Sequence, residues 1–156
     1  KGELKYDTQR DAVYTKMLSE GIVKAFKRNN VALPEHVIAY AAFKLFQQKH
    51  HTSDLYSVLR MPEEFRELSK DELREAVRKV VKELTKLEHK EEIRVDPIVK
   101  AEDTDELIDY AVKKLGVYHA KRPLLKTKKG MIKCQDMKLL LFYHNRLEGY
   151  GLEKHV

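Results

Sequence analysis

Two short stretches of this chain set side by side the residue types that hold a phosphate or a carboxylate. The first is Tyr118-His119-Ala120-Lys121-Arg122 and the second is Tyr143-His144-Asn145-Arg146. Arg offers a planar fork that meets an oxyanion with two parallel hydrogen bonds, and Lys adds a point charge. His and Asn add directed hydrogen bonds. Brought together, Tyr118, His119, Lys121, Arg122, Tyr143, His144, Asn145 and Arg146 would form a polar corner able to bind a substrate phosphate. The same groups suit an interface network that joins elements or docks another domain, and both readings stand at this level. The second stretch says more than the first. The apolar run Leu139 to Phe142 passes straight into His144, Asn145, Arg146 and Glu148, then into Gly149-Tyr150-Gly151. A helix that only buries one face fills its other positions with interchangeable charges; these polar residues differ chemically from one another.

Other chemistries lack their residues. The seven histidines are His36, His50, His51, His89, His119, His144 and His155, and no pair has the His-Glu-x-x-His spacing of a zinc helix. His50 and His51 would point about 100° apart on a helix. One cysteine cannot build a thiolate site, so neither a metal nor a cofactor is expected. Cys134 lies beside Lys133, whose charge could lower its pKa, but a lone Cys in a strand is expected to pack. The glycines are scattered rather than gathered in a phosphate loop, and there is no Gly-x-Ser-x-Gly elbow. Five residues beyond each usable His stand Ala41, Leu55, Tyr56, Arg94, Leu124 and Gly149, so no His-x-x-x-x-Asp pair exists. No catalytic residue is assigned.

Composition bounds the setting. A chain of 156 residues makes one ordinary domain, with a possible division into a helical part, 1–66, and a second part, 67–156. Leu, Lys, Glu, Ala and Arg dominate, which predicts a mainly helical fold. The single cysteine excludes an internal disulfide and fits a reducing cytosol. The polar start, Lys1 to Asp11, is no secretory leader. The longest apolar run, Val37 to Phe43, falls far short of the roughly 20 residues of a membrane span. Net charge is +6, and seven of the basic residues fall between Lys121 and Lys138 against one acid, Asp136. Such an excess meets nucleic acid, an anionic membrane surface or an acidic neighbouring domain, or is simply a solvated face.

The elements that must position these residues read as follows. A first helix runs from Asp7 or Thr8 to Asn29, with Val13, Met17, Ile22, Val23 and Phe26 on one stripe. A second starts at Pro34 and is apolar almost all round to near Gln48, as a buried central helix is. Ser53 caps a short helix that Met61-Pro62 breaks. Ser69 and Glu72 form a capping box for a long helix to about Lys90, and a short strand, 93–95, follows. Thr104 caps a helix that Gly116 stops. Leu124–Thr127 and Met131–Cys134 make a small β-hairpin turning at Gly130. Asp136 caps the last helix, and Gly149 ends it. Helix, basic hairpin, helix gives the C-terminal half a winged-helix-like arrangement. The fold class is mainly α, with one small hairpin.

Four strings resemble the C-terminal region of the large bacterial glycerolipid acyltransferases of the glycerol-3-phosphate and 1-acylglycerol-3-phosphate type. They are Asn29 to Leu45 (NNVALPEHVIAYAAFKL), Asp54 to Glu64 (DLYSVLRMPEE), Leu115 to Leu125 (LGVYHAKRPLL) and Leu139 to Lys154 (LLLFYHNRLEGYGLEK). The resemblance implies an enzyme that moves a fatty acyl group from a thioester to a glycerol-phosphate hydroxyl in phospholipid synthesis. It implies that the catalytic His-x-x-x-x-Asp domain precedes Lys1, and that this segment is a non-catalytic C-terminal fragment whose partner is that missing domain. It further implies a cytoplasmic protein, peripheral on the inner face of an anionic membrane. The rival readings are a basic winged-helix nucleic-acid binder and a pure protein-interaction module. Against the first, the helix from Thr104 starts acidic and carries only Lys113 and Lys114 as cations, with no Arg, Asn or Gln suited to base edges.

Overall fold

The computed structural model describes residues 8–51, 53–100 and 103–156. Its centre is helix α2, Pro34–Lys49. Pro34 opens it where a missing N–H costs nothing. The His36 ring closes the same turn, its Nδ1 accepting from the Leu33 N–H at 3.3 Å. Val37, Ile38, Ala39, Tyr40, Ala41, Ala42, Phe43 and Phe46 are all buried, so α2 is walled on every side. It packs against α4 (Lys70–His89), α5 (Thr104–Leu115) and α6 (Met137–His144).

The capping box of α4 is present in both halves. Ser69 Oγ accepts from the Glu72 N–H at 3.1 Å, and Glu72 Oε2 accepts from the Ser69 N–H at 3.0 Å. Leu73, Ala76, Val77, Val80 and Leu84 face the core. Arg74 then ties α4 to the start of α5. Its Nε and Nη2 donate to the two Asp105 oxygens at 2.7 and 3.0 Å, while Nη1 reaches Asp71 at 2.7 Å. Those hydrogen bonds hold the Asp105 carboxyl below its usual pKa.

Three caps or ends differ from the sequence reading. Asp103, not Thr104, caps α5, its Oδ1 accepting from the Asp105 and Glu106 N–H groups. Asp54, not Ser53, caps α3 (Leu55–Leu59), accepting from the Tyr56 N–H at 3.2 Å. In each pair both residues are good caps, and the carboxylate takes the position. Helix α6 ends at His144 rather than Gly149. A 3₁₀ turn, Asn145–Leu147, follows, and Gly149 and Gly151 then adopt the left-handed backbone (φ +85° and +76°) that bends the chain back.

The hairpin is β4 (Leu125–Lys126) and β5 (Ile132–Lys133), turning through Gly130 at φ +79°. It gains a third antiparallel strand, β2 (Glu67–Leu68), on the outer side of β5, giving the order β2-β5-β4. Strand, two helices, then a hairpin whose second strand is central is a winged-helix-like arrangement. A separate two-residue parallel pair joins β1 (Val31–Ala32) to β3 (Arg94–Val95). Helix α1, Thr8–Asn29, precedes all of this and has no buried residue among its 22.

Candidate functional site

Asp136 caps α6 by accepting from the Lys138 and Leu139 N–H groups, each at 3.1 Å. One turn apart, Leu140 and His144 then share the buried face. Tyr143 points sideways and meets the other predicted stretch. Its hydroxyl lies 2.9 Å from His119 Nε2, with the rings edge to face at 5.9 Å. His36 stands behind, 6.5 Å from the Tyr143 ring. Burial, then the Arg146 charge, lowers the His36 pKa. Val117, Tyr118 and Phe142, the neighbours of this contact in sequence, are exposed at 62, 88 and 64%.

His144 does not join that contact. Its ring stacks on Tyr40 at 4.8 Å and 2°, and touches Phe43 at 4.7 Å. Nδ1 lies 3.1 Å from Asn145 Oδ1. Nε2 is buried without an aligned hydrogen bond, with Glu148 Oε2 3.1 Å away. Burial pushes the His144 pKa down, while Asn145 and Glu148 oppose the shift.

Arg146, Gly149 and Tyr150 serve a different purpose: they clasp the base of α1. Asn30 Nδ2 donates to the Arg146 carbonyl at 2.9 Å and to the Tyr150 hydroxyl at 3.3 Å. Arg146 Nη2 reaches Asn30 Oδ1 at 3.4 Å. The Tyr150 hydroxyl donates to the Lys27 carbonyl at 2.9 Å, and Lys27 Nζ donates to the Gly149 carbonyl at 2.8 Å. Most of the polar letters after α6 are therefore occupied within the chain.

Of the eight predicted residues, the structure brings His119 to Tyr143 and His144 to Asn145. Arg122 sits elsewhere, near the N-terminal end of α6. Its N–H donates to Gln135 Oε1 at 2.9 Å, and its side chain lies over Gly116. Lys121 and Tyr118 are exposed. The single phosphate-binding corner is thus divided into an aromatic contact, a buried imidazole and a clasp. The sequence reading missed Asn30, His36, Lys27 and Tyr150 as participants; Asn30 carried a signal as the residue just past a helix end, and Tyr150 as the centre of the Gly-Tyr-Gly that follows the polar string.

Cys134 is buried, and its thiol is pushed up to about 12, chiefly by loss of water. Lys133 does not activate it. Among the described residues no three of His, Cys, Asp and Glu converge on a point where a metal ion could sit. Among them, too, no helix is long and apolar enough to cross a membrane. A cleft of about 500 Å³ opens at the base of α1, lined by Lys24, Lys27, Arg28, Lys90, Glu91, Glu92, Gly149 and Tyr150.

No protein-family model, characterised protein or solved structure matches this chain.

Proposed function

We propose that the chain is the accessory C-terminal domain of a glycerolipid acyltransferase, working on the cytoplasmic side of a membrane. The transfer of a fatty acyl group from a thioester to a glycerol-phosphate hydroxyl belongs to a His-x-x-x-x-Asp domain on preceding polypeptide. The observation that carries this reading is the contact of His119 with Tyr143 at 2.9 Å. It joins two of the strings that resemble the family, Leu115 to Leu125 and Leu139 to Lys154, and the exposed Val117, Tyr118 and Phe142 border it. Exposed apolar and aromatic side chains beside a fixed polar pair suit a protein-docking patch, where aromatic residues are enriched. The catalytic domain docks there.

The test compares the gene product, including the sequence upstream of Lys1, with the chain alone, on a fatty acyl thioester and glycerol 3-phosphate. Turnover is expected from the longer protein only. Turnover by the chain alone, or an upstream sequence without His-x-x-x-x-Asp, overturns the reading.

The strand order β2-β5-β4 and the basic turn Lys126 to Lys129 favour one alternative, duplex nucleic-acid binding through a wing. Helix α5 argues against it: its exposed positions are Glu106, Asp109, Tyr110, Lys113 and Lys114, with no Arg, Asn or Gln suited to base edges. Steeply salt-dependent binding to duplex DNA would reverse that judgement.

A further inference from the structure

Helix α1 is oriented the wrong way round for a helix that packs on its own domain. It is anchored through Lys27, whose Nζ binds the Gly149 carbonyl and stands 5.6 Å from the Tyr150 ring. Lys27 is nine residues from Leu18, so at about 100° per residue the two side chains point in opposite directions. The apolar residues follow Leu18. Tyr14, Met17, Leu18, Ile22 and Phe26 are exposed by 68, 66, 53, 47 and 75%. From Met17 through Leu18 and Ile22 to Phe26 they cover an arc of about 180°, wider than the two-position seam of a helix pair; the exposed Val13 and Val23 widen it on both sides, and Asp11 lies within it at the N-terminal end. The helix is roughly 33 Å long.

We propose that α1 lies on the surface of an anionic lipid leaflet, its apolar arc in the headgroup boundary and the cationic cleft at its base on lipid phosphates. Charge complementarity selects this occupant. The helix carries five cations, Arg10, Lys16, Lys24, Lys27 and Arg28, against two acids, Asp11 and Glu20. Lys24 and Arg28 edge the apolar arc and line the cleft with Lys90. Glu91 and Glu92 line the same cleft and reduce its potential without cancelling four cations. A basic amphipathic helix with a broad apolar face and low mean hydropathy has the composition of an interfacial helix. A second copy of α1 would bring like net charge against like. The cluster between Lys121 and Lys138 is not needed for the contact.

Vesicle co-sedimentation of the chain tests this, using phosphatidylcholine alone and an equimolar mixture with phosphatidylglycerol. Binding is expected to the mixture and not to phosphatidylcholine, and is expected to weaken as salt rises. The double variant Leu18→Asp, Ile22→Asp abolishes it. The double variant Lys24→Glu, Arg28→Glu weakens it by roughly tenfold or more. The changed residues are exposed, so both variants keep the fold, which circular dichroism checks; Ile98→Ser, exposed elsewhere, binds like the parent. Failure of the parent to bind the mixture overturns the proposal, as does equal binding to both vesicle types. Dimerisation that Leu18→Asp abolishes, without vesicle binding, overturns it in favour of a second copy. The assay involves no acyl transfer, so its failure and failure of the acyltransferase reading are distinguishable.

Discussion

Helices α1 and α2 are neighbours in sequence and opposites in circumstance. Both carry aromatic and β-branched residues, and both have a proper start or stop. Ten residues of α2 are buried; none of α1 is. The difference lies in what fills the remaining positions. In α2, small and apolar residues occupy every face, so three other helices can close on it. In α1, Lys16, Glu20 and Lys27 occupy the side opposite Leu18, and among the described residues a polar clasp at one end holds it. An amphipathic pattern predicts a helix with one dry face; it does not say which molecule supplies the dryness. Burial stabilises α2, whereas α1 relies on its own propensity and the clasp, a marginal condition for an isolated helix.

The largest expected effect tests that contrast with the same residue type in each helix. Phe43 is 1% exposed and in contact with the His144 ring; Phe26 is 75% exposed. Phe43→Ala should lower the unfolding free energy by about 3–5 kcal/mol, through lost transfer energy and a residual cavity. Phe26→Ala should change it by no more than about 0.5 kcal/mol. Urea denaturation of both variants measures this. A similar loss from the two would mean that α1 is packed in solution and that the contrast is wrong.

A smaller effect concerns the join between the helices. Tyr150 donates to the Lys27 carbonyl and accepts from Asn30, which itself holds the Arg146 carbonyl. Tyr150→Phe should cost about 1 kcal/mol, the usual net value of such a bond. It should also speed amide exchange at the C-terminal turn of α1 while leaving α2 protected. Unchanged exchange in that turn would show that the clasp does not hold α1. This join also marks how far the sequence could be read. Ser69 with Glu72, Pro34, Gly130 and the all-round apolarity of α2 are local signals, and each was legible. The strands β1 and β2 are two residues long, too short to show a period of two, and their partners lie far along the chain. The clasp was hidden for the same reason. Asn30 is 116 residues from Arg146, so the string after α6 looked like free binding groups when most were already engaged.

The smallest effect is a pH dependence centred on α2 and its neighbour α6; α1 contains no histidine. His36 opens α2, and His144 stacks on its Tyr40. Burial lowers both pKa values below the usual 6.5. Around His144, Lys44 also disfavours the charged ring, and Asn145 and Glu148 favour it. Around His36, Arg146 disfavours charge, and Glu35 and the Val31 backbone favour it. The folded state thus holds both rings neutral at a pH where the unfolded chain has begun to protonate them. Below about 6.5 the unfolded state binds more protons, so stability falls with falling pH and is retained above that value. The urea midpoint at pH 5 should therefore lie below that at pH 7, and His144→Gln should reduce the difference. The sign is informative because a competing arrangement exists. If acid instead raised the midpoint, protonated His144 would be donating from Nε2 to Glu148 Oε2, which already lies 3.1 Å away. Helix α2 would then owe part of its fixity to a charge, and its contrast with α1 would rest on more than apolar burial.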